Sequence, residues 1–165
     1  MTPMDKIEIG GILHRTDLAE ISLMSIPNRP GVAGEVLQAL GDSRISVRFI
    51  VQCIDPQQRT HILLCMLRED VETALSILKD IEAKVGAEEV VHRSQVAMVS
   101  IFGPEFQERP GLAGAMFSAL ASAGIDIWAI STSIATVSCL IDVDRIEEAI
   151  EAIHETFQVS EDWQI

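Results

Sequence analysis

The sequence predicts an α+β protein: two copies of one β-α-β-β-α-β series, each an antiparallel sheet with two helices on one face. Three observations predict it. The hexapeptide RPGVAG at 29–34 returns as RPGLAG at 109–114. Residues 29–50 overlay residues 109–130 without a gap, and their apolar positions agree nearly throughout. Each hexapeptide lies between a partly alternating, β-branched stretch and an apolar pattern of helical spacing. A period this long, present twice, describes a tandem domain rather than a solenoid.

The elements follow in order. EISLMSI (20–26) and AMVSIF (97–102) read as strands. After each RPG turn, Val32, Val36, Leu37 and Leu40 recur at helical spacing, as do Leu112, Met116, Phe117 and Leu120. Gly41-Asp42-Ser43 and Ala123-Gly124 end these helices. Second strands are expected at 45–54 and 125–132, and third strands at 60–67 and 136–142. Second helices begin after Asp70 and Asp144, both plausible N-caps. Their apolar stripes are Val71, Ala74, Leu75, Leu78 and Ile81 in one copy and Ile146, Ala149, Ile150, Ile153 and Phe157 in the other. EEVVH (88–92) closes the first copy as a fourth strand. The uncovered sheet faces suggest pairing between copies or between chains.

Composition narrows the function. Twelve Lys and Arg against 25 Asp and Glu give a net charge of −13 over 165 residues, which argues against nucleic acid and anionic membrane as partners. The apolar runs are too short for a membrane span, and the opening MTPMDKIEIGG lacks a signal-peptide layout. Cys53, Cys65 and Cys139 form no CxxC pair and read as buried free thiols of a reducing, cytoplasmic compartment. All three lie in apolar, strand-like stretches, and Cys53 and Cys139 have no obvious base beside them. His14, His61, His92 and His154 lack metal-ligand spacing. No P-loop, GxGxxG or catalytic carboxylate pair is present; Asp5-Lys6 is not a catalytic pair, and Asp142 and Asp144 read as a strand end leading into a helix cap. No cofactor and no catalytic residue is expected. Trp128 reads as interface packing.

The RPG turn has its own chemistry. Pro30 has no N–H to leave unsatisfied at a helix entry, and Gly31 permits a sharp turn and a close approach. The first turn of the next helix offers free N–H groups and a partial positive charge, which suits a carboxylate.

SIPNRPGVAGEVLQALGDSRISVRFIVQ resembles the start of an ACT domain, the small-molecule regulatory module of amino-acid metabolism. RPGLAGAMFSALASAGIDIWAISTS, followed by VSCLID and AIEAIHETF, resembles the tandem ACT region at the C-terminus of aspartate kinase. IEIGGILHRTDLAEISL resembles the lead-in to that region. The resemblance covers about residues 6–158. It implies a first ACT unit at 17–92 and a second at 93–165 completed by the N-terminal strand at 6–14. It implies a non-catalytic, allosteric protein of amino-acid biosynthesis, homodimeric through sheet pairing, that binds an effector such as lysine or threonine and acts on a kinase catalytic subunit. The implied ligand positions are Asn28, Arg29, Pro30, Gly31, Val32 and Ala33 of the turn, Arg48, Gln52, and the STS run Ser131, Thr132 and Ser133. Several positions depart from the family pattern: Asn28 and Arg48 stand where acids are usual, Ile134 replaces the glutamate after STS, and GPEF (103–106) precedes the second turn. A stand-alone amino-acid sensor, or a dimerisation module for another enzyme, is the alternative.

Overall fold

A computed structural model describes residues 6–104 and 106–160, so Asp5, Glu105 and most of the opening peptide lie outside the described residues. The chain divides into two compact units, residues 17–96 and residues 97–165 with the N-terminal residues up to 16.

In the first unit, β2 (Gly11–Pro27) supplies residues 17–27, followed by α1 (Val32–Asp42), β3 (Phe49–Ile54), β4 (Arg59–Leu67), α2 (Val71–Val85) and the start of β5 (Glu89–Phe102). The strand β1 (Ile7–Ile9) precedes them. The sheet order is β3-β4-β2-β5, the ferredoxin-like arrangement. Ala19, Ile21, Leu23 and Ile26 of β2 and Ile62, Leu64 and Met66 of β4 face Val36, Leu40, Ala74 and Leu78 of the helices, all fully buried. The inward residues of β2 step by two as far as Leu23 and then by three to Ile26. A β-bulge causes the change, because the pairing with β4 shifts between Leu23 and Ile26. Ser25 takes a left-handed φ of 56° there, and its N–H donates to Nδ1 of His61 at 3.2 Å. The other ring nitrogen, Nε2, lies 2.9 Å from the Asp55 carboxylate. The His61 bond, with the backbone N–H of Arg59, holds the Asp55 carboxyl below its ordinary range.

Among the described residues, Glu20 is the buried charged side chain. It is 3% exposed; the Ser22 hydroxyl donates to its Oε1 at 2.6 Å, and Arg93 Nε lies 3.3 Å from Oε2. A buried carboxylate is tolerable only with such partners.

The second unit continues through β5, α3 (Leu112–Ser122), β6 (Ala129–Thr132), β7 (Thr136–Asp142), α4 (Ile146–Thr156) and β8 (Phe157–Val159). Its sheet order is β2-β5-β7-β6. The edge next to β5 is therefore taken by the N-terminal end of β2. The last strand, β8, pairs instead in parallel with β1, Ile7 opposite Phe157 and Ile9 opposite Val159. The lead-in segment is anchored along its length: Lys6 Nζ donates to the His154 carbonyl, Gly10 N–H to the Phe102 carbonyl, and Ser160 N–H to the Ile9 carbonyl. Gly10 and Gly11 lie under the Phe102 ring, where a Cβ on Gly11 would come 2.6 Å from its edge. The core holds Val99, Ile101, Met116, Leu120, Ile141, Ile153 and Phe157.

Several expected boundaries move. The strands expected at 88–92 and 97–102 are one continuous strand, β5, because no turn residue separates them. The strands expected at 45–54 and 125–132 begin at Phe49 and Ala129. Leu37 is exposed. Asp70, the N-cap of α2, makes no side-chain cap bond, and the N-cap of α4 is Arg145 rather than Asp144; the 3-10 turns Arg68–Asp70 and Val143–Arg145 precede the two helices. Arg145 reaches the carbonyls of Ala123 and Gly124 at the end of α3, at 3.0 and 3.2 Å, and pairs with Glu148. Asp142 accepts the Trp128 indole N–H at 2.9 Å.

Among the described residues, no helix is long and apolar enough to cross a membrane, and no group of three or more His, Cys, Asp or Glu side chains could hold a metal ion. Cys65 and Cys139 are buried and their thiols are pushed up to about 12 by burial, while Cys53 is exposed. Thiolates are the reactive form, so Cys53 is expected to react with a thiol reagent in the native chain well before the other two. Equal rates for all three thiols would contradict that burial.

Candidate functional site: a cavity at each RPG turn

The two hexapeptides build the same local structure. Gly31 has φ 95° and ψ −11°, and Gly111 has φ 92° and ψ −10°. Each occupies the N-cap of its helix, in the left-handed region that favours glycine. Neither helix has a side-chain cap, so the N–H groups of the first turn, which no intrahelical carbonyl can reach, stay available.

Beside each turn is a cavity. The first, of about 340 Å³, is lined by Asn28, Arg29, Pro30, Gly31, Val32, Ala33 and Gly34, with Gln52 from β3 and Thr60 from β4. The second, of about 260 Å³, is lined by Phe106, Arg109, Gly111, Leu112 and Ala113, with Thr132, Ser133 and Val137. Gln52 and Thr132 hold the same position in the repeat, so each cavity joins a helix entry to the end of an edge strand.

Seven of the expected residues, Asn28, Arg29, Pro30, Gly31, Val32, Ala33 and Gln52, therefore meet at one cavity, and Thr132 and Ser133 meet at the other. Arg48 does not join them. It is exposed, immediately before β3, with its N–H on the Cys65 carbonyl. Four steps of extended chain lead from it to Gln52, about 13 Å at the usual rise. Ser131 also stays outside. It pairs with Ser138 while Thr132 pairs with Val137, and the alternation of a strand sends neighbours to opposite faces.

The polar groups are ordered differently in the two turns. Arg29 grips Glu35 through two hydrogen bonds of 2.7 and 3.1 Å. Hydrogen bonding from the guanidinium holds the Glu35 carboxyl below its ordinary range. Asn28 Oδ1 accepts the Thr60 hydroxyl at 3.3 Å. In the second turn Ala115 stands in the place of Glu35, and Arg109 instead donates to the Glu8 carbonyl at 2.8 Å, tying the turn to the lead-in segment. Ser133 Oγ bonds Thr136 Oγ1 at 2.7 Å and accepts the Thr136 N–H at 3.2 Å, which closes the β6–β7 turn. Periodicity alone had no signal for Thr60 or Val137 as lining residues, because they come from strands distant in sequence from the turns; Phe106 and Arg109 lie just before and within the second hexapeptide, and the repeat position of Arg109 could have indicated it.

The comparisons with known proteins agree with this architecture. A family model described as ACT domain matches residues 20–86, and another of the same description matches residues 99–157. The aspartokinase of Pseudomonas aeruginosa is 35% identical over 156 residues, which are 94% of this chain and 38% of that protein. The chain thus spans well under half the length of the curated relatives it matches. The ligand-free regulatory subunit of aspartate kinase from Thermus thermophilus superposes with a TM-score of 0.84 at 33% identity, covering 91% of this chain and 99% of that one. A chain from a structure of aspartokinase alpha and beta subunits gives 0.83 at 32% identity, covering 90% and 97%. Two ACT units in tandem, matched along almost the whole of a separate regulatory subunit, make this chain a member of the ACT-domain family, of the kind that forms the regulatory region of aspartate kinase.

Proposed function

We propose that this chain is an amino-acid-responsive, non-catalytic regulator that controls an aspartate kinase catalytic part. The observation that carries the reading is the pair of cavities at equivalent helix entries, each with uncapped N–H groups suited to an α-carboxylate. The effector carboxylate sits on the first turn of α1 or α3, and Gln52 or Thr132 with Ser133 contacts the rest of the molecule. The regulatory units are assigned to residues 17–92 and to 93–165 completed by 6–14. Two chains pair through their sheets, and the protein acts in the cytoplasm. Effector binding alters the catalytic part through a coupling free energy between the two sites. The likeness to one chain of a structure of aspartokinase alpha and beta subunits supports a kinase partner.

Thermal melts of the chain against a panel of free amino acids test the reading. An effector at a hundred times its dissociation constant adds about 2.7 kcal/mol, a shift of several degrees. No shift with any amino acid, or phosphoryl transfer by the chain alone, would overturn it.

A further inference from the structure

The arginine of the repeated hexapeptide is used in two ways. Arg29 closes on Glu35, in the first turn of its own helix, through both terminal nitrogens. The second copy has Ala115 in the place of Glu35, and Arg109 reaches out of the turn to the Glu8 carbonyl at 2.8 Å, 101 residues away in sequence. Glu8 is the middle residue of β1, which forms a two-stranded sheet with β8. Successive carbonyls of a strand point to opposite edges. The Ile9 carbonyl accepts the Ser160 N–H on the β8 side. The Glu8 carbonyl therefore points to the other side, which among the described residues holds no strand, and Arg109 meets it there. Two paired strands of three residues are marginal by themselves, so a side-chain bond on the open edge adds appreciably to their hold. Phe106, another lining residue of the second cavity, stands behind the same segment: a Cβ on Gly103 would come 2.5 Å from its ring and 3.3 Å from the Gly10 nitrogen.

From this geometry we infer that Arg109 is a latch that makes the second RPG turn and the lead-in strand β1 one conformational unit, whereas Arg29 stays with its own helix. Arg109 also lines the second cavity. A rearrangement of its guanidinium releases β1, and a displacement of β1 withdraws part of the cavity wall. The position that sets the latch is residue 115. A carboxylate there would compete for the guanidinium as Glu35 does in the first copy, and a charged acceptor is stronger than a neutral carbonyl. The small Ala115 leaves the arginine to the lead-in strand. The inference goes beyond the effector reading and needs no ligand for its test.

Hydrogen exchange of the 165-residue chain, followed by NMR, tests the latch. The reporters are the amides of Gly10 and Ser160, which donate to the carbonyls of Phe102 and Ile9. The Trp128 amide, bonded to the Leu140 carbonyl in the same unit, is the internal control. R109M keeps the apolar stem and removes the donors. It is expected to speed exchange at both reporters about fivefold, the factor that corresponds to one hydrogen bond of ordinary strength, and to leave Trp128 unchanged. A115E, which keeps the arginine and offers it the acceptor that Glu35 gives Arg29, is expected to do the same. R29M is expected to leave the reporters unchanged. The R109M/A115E double variant is expected to match R109M alone, because both changes act through one bond. Unchanged reporters in R109M or in A115E overturn the latch. Equal acceleration at Trp128 overturns it too, since the whole unit would then be opening. So does further acceleration by A115E once Arg109 is replaced, or an effect of R29M as large as that of R109M.

Discussion

Phe157→Ala is expected to destabilise the protein by about 3–5 kcal/mol, the usual cost of truncating a buried aromatic side chain. Phe157 is 1% exposed and is among the largest fully buried side chains. It ends α4, opens β8 and pairs across to Ile7 of β1, so the cavity would open where the helix, the closing strand and the lead-in strand meet. Its ring packs in the core that holds Met116, Leu120 and Ile153. A thermal melt should fall by roughly 10 °C. Leu13, which is 49% exposed, supplies the control: Leu13→Ala should stay within about 0.5 kcal/mol. A loss below about 1 kcal/mol for the Phe157 variant would mean that β8 is not part of the second core.

Gly31→Val is expected to combine a stability loss with loss of effector binding. The left-handed φ of 95° costs a non-glycine residue about 1–3 kcal/mol, most for a β-branched one. Nothing lies within 4 Å of a Cβ built there, so the penalty comes from the backbone and not from a clash. To relieve it the chain must rotate the N–H groups of the first turn away from the cavity, and affinity should fall at least tenfold. Gly34 isolates the backbone effect on stability. It lies inside α1, with open space around a Cβ and no left-handed φ, so Gly34→Ala should stabilise by about 0.5–1 kcal/mol. Equal melting temperatures for the Gly31 and Gly34 variants would contradict this account of the turn.

Much of this was legible in the residues. The repeat of RPGVAG as RPGLAG located both helix entries, and the positions buried on α1 and α3 are the matched sets Val32, Val36, Leu40 and Leu112, Met116, Leu120. Both helices end within a residue or two of the small and polar stretches that signalled a stop. Seven residues expected at the first ligand site line one cavity, because six of them are consecutive and only Gln52 had to arrive from elsewhere.

The rest depended on partners far along the chain. Strand alternation can be read locally, but the step from Leu23 to Ile26 needs the shifted register with β4 and the His61 bond that holds the Ser25 bulge. Gly10 and Gly11 give clearance to the Phe102 ring, a contact that no local pattern indicates. Asp70 and Asp144 look like caps, yet Asp70 makes no side-chain cap bond and the 3-10 turn before α4 moves its N-cap to Arg145. The same arginine in the two hexapeptides has two fates, an ion pair with Glu35 or a bond to the Glu8 carbonyl, since a long side chain takes whichever acceptor the fold brings within reach. The sequence by itself determined the repeated element series, the two helix entries and the face each helix buries, because propensity, turn chemistry and periodicity act over a few residues. Which strand fills each sheet edge, and which polar groups at each cavity remain free for a ligand, were decided by the tertiary structure alone, because hydrogen bonds and packing between distant segments select among groups that are locally equivalent.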